Sequence, residues 1–506
     1  MTQHSNFSAC MWRVLPAIVL FLGISRASIG QDVVAANPAP PASAAPNSAH
    51  VPDASTPTPH LVWCAPFVLI LLAIAILPLI PRFHHTWELN RVKLAVGLVL
   101  GGIVLIHYAT RGFGIAHDGH VSTPGLETVR AVLHHAILGE YVPFVTFLFG
   151  LYVIAGGIQM RGDIRALPSV NTAFLAAGTL LASFVGTTGA SMMLIRPLLQ
   201  TNQERTKVVH TVIFFIFLVS NIGGSLLPLG DPPLFLGYLR GVPFFWTLSL
   251  WPAWLFCSTV LLLTYYLWDR LVFWPREPLM AQLRDRKMIE PLRVRGAVNF
   301  VWLIIVIAAV ALMIPGKPLP GTRWLVPQFA REAVILAITG LSLLTTPKGL
   351  RKESQFSYGA ILEVAALFLG IFLTMQVPME ILHAEGSRLG LHSSMQFFWW
   401  TGALSSFLDN APTYLVFLAT AQTLHAGGLH VVLNNGVVAT HLLQAISLGA
   451  VFMGANTYSG NGPNFMVKSI AERQGVKMPS FFGYLLYSGL ILIPLFIAVS
   501  ILFLKR

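Results

Sequence analysis

The residues with most chemical potential in this chain are two acids set in apolar surroundings. Asp231 lies in the stretch 220–246, SNIGGSLLPLGDPPLFLGYLRGVPFFW, and Asp409 lies in SSFLDNAPT at 405–413. Nearby stretches bring amides at Asn221, Asn410, Asn456 and Asn461, and hydroxyls at Thr187, Thr188, Ser191, Thr413 and Thr457. Such groups suit a small solute, since carboxylate and carbonyl oxygens hold a cation while amide and hydroxyl donors face an anion. A buried carboxylate can also bind either a proton or a competing cation. Asp409 is the first choice for that exchange. Asp231 is the second, because Gly230-Asp231-Pro232-Pro233 is also ordinary turn chemistry at a helix end. Glu363, in another apolar run, is read as a proton relay, although an acid near a helix start also complements the helix dipole. The asparagines have the competing role of capping broken helices, and the threonines that of bonding helix carbonyls.

The medium around these groups follows from composition. Hydrophobic residues make up 55% of the 506 and charged residues only 10%, where a soluble domain carries about a quarter charged. Mean hydropathy is +0.70, so the chain is a polytopic membrane protein, all-α in fold class. The net charge of +12 would suggest nucleic acid in a soluble domain. Here the basic residues cluster in short loops between apolar runs, as cytoplasmic loops do. No basic patch is interleaved with exposed aromatics, which excludes a nucleic-acid partner. Cys10, Cys64 and Cys257 are too scattered for a disulfide framework or a metal site. The histidines at 84, 85, 134 and 135 fall in loops, and His210 and His441 in spans, where packing is the expected role. No phosphate-cradling loop is present, so no cofactor is implied and energy must come from an ion gradient.

The elements that position the acids can be read from charge-free runs. Residues 1–30 read as a signal peptide and 31–59 as a disordered Ala/Pro-rich linker outside the membrane. A first transporter half is expected over 60–296 and a second over 297–506. In the first, spans at 60–80, 94–109 and 141–160 precede a charge-free run, 166–195, whose middle, FVGTTGAS, suits a re-entrant hairpin with its tip at 186–191. The helix from 208 then breaks at Gly223, Gly224, Pro228, Gly230, Pro232 and Pro233. Freed backbone groups survive at membrane depth only inside protein or beside a wet cavity. A strongly basic loop, 269–296, follows, and spans at 297–314, 333–344 and 358–375 lead to a second hairpin at about 393–424. Residues 410–467 are free of formal charge and end in GANTYSGNGPN, a second break, before a last span at 481–504. Gly230-Asp231-Pro232-Pro233 and Gly460-Asn461-Gly462-Pro463 recur in order after the two hairpins. The count is about eleven transmembrane helices plus two re-entrant hairpins, in two inverted-topology repeats. That duplication places a solute site where the broken elements meet and permits alternating access.

The stretches 220–234, 408–413 and 454–468 resemble the ion transporter superfamily, most closely its bacterial sodium/proton antiporters and proteins described as citrate transporters. The resemblance covers roughly 60–506. It implies a secondary transporter with sites at the polar hairpin tips and the Asn-containing breaks, here Thr187, Thr188, Asn221, Asp409, Asn410, Asn456 and Thr457. It also implies sodium and proton as coupling ions, a bacterial inner membrane location and, as is common in such carriers, a homodimer. One departure is that the first hairpin has Gly-Thr-Thr-Gly where an acid or amide would sit beside an ion. The charge pattern, carboxylates without Lys or Arg deep in either break, favours sodium or lithium/proton antiport. The alternative is a carrier of citrate, dicarboxylates or other small anions. A membrane aspartyl protease is disfavoured because Leu229-Gly230-Asp231 lacks that class's further glycine, and a channel would show flux that does not saturate. The expectation is a transporter, not an enzyme.

Overall fold

The computed structural model describes residues 57–505 apart from 88, 118–119, 288, 355 and 425. The signal peptide and nearly all of the 31–59 linker lie outside the described residues. Apolar runs without water must satisfy their backbone internally, and helices do so without a partner strand; helices accordingly make up almost all of the regular structure. Among the described residues five are long and apolar enough to cross a membrane, Asn90–Thr110, Leu126–Ala155, Pro168–Val185, Phe244–Arg276 and Phe481–Phe503. Gly359–Thr374 with Gln376–Leu389, bent by 43°, makes a sixth if the pair is one span. Several other charge-free runs fold as shorter apolar helices, among them Val209–Ser225 and Val298–Leu312.

Three local expectations need correction. The span expected at 141–160 starts and ends earlier, because one helical run extends from Leu126 to Ala155 and Gln159–Asp163 is a strand. The expected hairpin tip at 186–191 shrinks to one residue. Gly186 alone, at φ 80°, separates two helices, and Thr187 to Ser191 are already helical. The chain is also not purely helical, since the loops pair into short two-stranded ribbons. One of these joins Gln159–Asp163 to Glu290–Arg295, two segments far apart in sequence.

Eight helices position the site. In the first half they are α1 (Pro168–Val185), α2 (Thr187–Thr201), α3 (Val209–Leu218) and α4 (Pro232–Leu239). In the second half they are α5 (Ser394–Phe407), α6 (Asn410–Gln422), α7 (Thr440–Met453) and α8 (Gly462–Arg473). The arms α1 and α2 fold back on each other, so that Gly178 lies against Leu194 with no room for a further side chain. The arms α5 and α6 also pack together. Each broken helix has the same form: α3 leads to a 3-10 turn at Ile222–Ser225 before α4, and α7 leads to one at Gly454–Asn456 before α8. The halves interlock crosswise, with α4 packed on α6 and α8 packed on α2.

Close backbone approach holds these turns, and it requires glycine. A Cβ on Gly230 would stand 2.1 Å from the Gly224 carbonyl oxygen, and one on Gly460 would stand 2.6 Å from that of Gly454. In contrast, nothing lies within 4 Å of a Cβ placed on Gly462. Gly230→Ala is therefore expected to cost roughly 1–3 kcal/mol and to lower the melting temperature in detergent clearly, while Gly462→Ala leaves it near the parent's. Equal melting of the two variants would contradict the packing described.

Candidate functional site

Four helices begin at one buried point: α2 at Thr187, α4 after Asp231, α6 after Asp409 and α8 after Asn461. Proline fills positions 232, 233, 412 and 463 in three of the first turns, where its missing N–H would have lacked a partner in any case. Asp231 is 1% exposed. Its backbone is extended, at φ −144° and ψ 142°, and its side chain does not cap its own helix. The carboxylate instead takes donors from the three other helix starts. Thr187 Oγ1 donates to Oδ1 at 2.9 Å, Asn461 Nδ2 donates to the same oxygen at 3.0 Å, and Asn410 Nδ2 donates to Oδ2 at 2.6 Å. Charge-assisted bonds of this kind are worth about twice a neutral one, and the positive ends of helix dipoles add to them. Asn461 has the same backbone form as Asp231, φ −154° and ψ 139°, and likewise leaves its own helix uncapped.

A second ring of amides surrounds the carboxylate. Asn461 Nδ2 also lies 3.1 Å from the Ser220 carbonyl and 3.3 Å from Asn221 Oδ1. Asn221 donates to the Ile216 carbonyl at 2.8 Å and to Asn464 Oδ1 at 2.7 Å, and Asn464 donates in turn to the Gly454 and Thr457 carbonyls, each at 2.9 Å. Thus the first break is tied through two side-chain amides to the freed carbonyls of the second. Ser191 and Ser220 pair at 2.8 Å beside it, and Ser183 bonds the Gly223 carbonyl. In the other half Asn456 donates to Ser406 Oγ at 2.9 Å, and Thr457 bonds the Ser406 carbonyl. Among the described residues, Asn456 Oδ1 is buried without a hydrogen-bond partner.

The structure thus brings Thr187, Asn221, Asp231, Asn410 and Asn461 into one cluster, with Ser191 against it at Ser220. Asn456 and Thr457 stand in an adjoining network around Ser406. Thr413 bonds only the Asp409 carbonyl within its own helix, at 2.9 Å, and Thr188 is half-buried at the start of α2. Asp409 adjoins the cluster through Asn410; its Oδ1 accepts the Ala411 N–H at 3.0 Å as a helix cap, and the residue is half-buried. Glu363 is not drawn in, because Lys93 holds its carboxylate at 2.5 Å. Sequence reading missed Asn464, Ser220, Ser183 and Ser406. The signal for Asn464 was its place in the charge-free run that ends in the second break; the serines gave no signal above that of helix packing.

A chain that interrupts its membrane helices to gather buried amides and hydroxyls from both halves around one carboxylate has the build of a solute carrier. Over residues 56–504 it matches the family described as "Putative citrate transport", and it belongs to that family. No curated protein matches the sequence. It is a multi-pass membrane transporter of citrate-transporter type, not an enzyme.

Removing the charge at the centre tests the geometry. Asp231→Asn turns one acceptor into a donor facing a donor, so a loss of roughly 1–3 kcal/mol is expected, and Thr187→Val should lose about 1 kcal/mol. Thermal unfolding of the purified variants measures both. An unchanged Asp231→Asn midpoint would mean that the carboxylate does not hold these donors.

Proposed function

We propose that the protein carries a citrate-class polycarboxylate by alternating access, coupled to a sodium ion or proton bound at Asp409. The observation that carries this reading is the full engagement of Asp231 by Thr187, Asn410 and Asn461. An acid held by three donors serves the architecture and is poorly placed to trade ions. That weakens the sodium/proton antiport reading favoured by the charge pattern alone. What the site offers an incoming solute is a set of converging helix starts, which suit an anion. The family match supports the same choice of cargo.

Asp409 is the acid suited to coupling. It is half-buried, one oxygen accepts the Ala411 amide, and among the described residues the other has no hydrogen-bond partner. A cation there would offset the charge of an entering anion, which makes binding of the two mutually favourable. In this reading α1–α2 and α5–α6 act as re-entrant hairpins entering from opposite sides, and the two halves exchange which side is open. The basic face, with Arg161 and Lys477, would be cytoplasmic in a bacterial inner membrane.

Uptake of labelled citrate into vesicles loaded with a pH-sensitive dye, across a panel of cations, tests this reading. Saturable citrate uptake driven by a sodium or proton gradient is expected, with Asp409→Asn losing most of the gradient dependence. Proton movement on adding sodium or lithium, without carboxylate uptake, would overturn it in favour of antiport.

A further inference from the structure

A cavity of about 1220 Å³ opens beside the outer half of α2 and the segment 474–479. Its walls include Met192, Met193 and Arg196 from α2, Lys207 from the loop before α3, and Lys477 after α8. Charge in the cavity is unbalanced. Arg161 is paired with Glu353 at 3.0 Å, and Arg205 with Asp269 and with Glu277 at 3.6 Å. Among the described residues Arg196, Lys207 and Lys477 have no side-chain hydrogen bond or ion pair, against Glu290 as the acid on this wall in the same condition.

Arg196 stands out among the three. It is half-buried on a helix whose first residue, Thr187, bonds Asp231. Nine residues of helix rise about 13–14 Å, so Arg196 stands that far along the same helix from Thr187 and the cluster. Arg473, exposed at the end of α8, which packs on α2, has the same sign and offers it no pairing. A half-buried arginine without an ion pair or hydrogen bond is costly unless an anion visits. A snorkelling anchor would relieve that cost by turning to bulk water, whereas Arg196 faces the cavity.

We propose that Arg196 forms a vestibule site for the polycarboxylate on the basic face, where it captures or releases one carboxylate group of the anion before the anion passes Met192 and Met193 to the Asp231 cluster. This inference rests on the carboxylate reading above. Arginine suits the role because its planar fork takes a carboxylate through two parallel bonds, while Lys207 and Lys477 raise the local anion concentration at the mouth.

Citrate binding to the purified full chain, by titration calorimetry, and the half-saturating citrate concentration from each face in oriented vesicles test the site. Arg196→Gln is expected to weaken binding tenfold or more and to raise half-saturation from the basic face alone, with Arg196→Lys recovering part of the loss. Unchanged binding, or an equal rise from both faces, would overturn the vestibule site and leave the carrier reading standing. A parent protein that neither binds nor moves any carboxylate would sink the carrier reading itself, and the vestibule with it. Should Arg196→Gln fail to fold, the exposed pair Lys207→Gln with Lys477→Gln keeps the test. A loss of affinity at low salt that fades at high salt supports the site; no change at either salt overturns it.

Discussion

Everything in this molecule turns on one carboxyl group that has been taken out of water. An isolated carboxylate in such surroundings is prohibitively expensive, and it persists only if donors replace the water it lost. Asp231 obtains them from three separate helix starts, two of which belong to the other half of the chain. The requirement therefore does more than stabilise a residue. It fixes where α2, α4, α6 and α8 begin and holds them at a common point, so each half is incomplete without the other.

That convergence imposes conditions on the backbone. Four helix starts cannot meet unless the turns leading to them are narrow, and the narrowness is supplied by Gly224 against Gly230 and by Gly454 against Gly460. Carbonyls freed by the turns take hydrogen bonds from Ser183 and Asn464 in place of water. The two breaks are built alike, with one difference that has consequences: an acid at 231 is matched by an amide at 461. Two acids there would repel each other in a low dielectric, and two amides would leave the converging donors without a charge to hold. One of each satisfies both demands. The same asymmetry leaves Asp409, set beside the cluster and only half-buried, as an acid whose bond is a helix cap at Ala411.

Much of this could be read from the residues. The membrane class, the two interruptions, the repeat of Gly-Asp-Pro-Pro as Gly-Asn-Gly-Pro and most of the cluster follow from glycine, proline and polar residues placed where hydrocarbon would reject them. Less could be read about roles. Asp231 and Asp409 look alike as letters in an apolar run, and only their neighbours in space distinguish a carboxylate with three donors from one whose single bond is a helix cap. Glu363 shows the same limit, since its partner Lys93 is 270 residues away. Element ends were also beyond local reading: one helical run extends from Leu126 to Ala155, across residue 141 where a span was expected to begin. Arg196 drew no attention as one more basic residue beside a loop; the cavity gives it meaning.

The direct test of the central contact is a swap across the two halves, in which Asp231→Asn and Asn410→Asp are made singly and together and the coupling is read from thermal unfolding of the purified proteins. If this bond joins the halves, the double variant restores the amide–carboxylate pair in reverse and melts well above at least one single variant, with a clear non-additive term. Losses that simply add would mean that the two side chains do not meet, and the account of a shared carboxylate would be wrong.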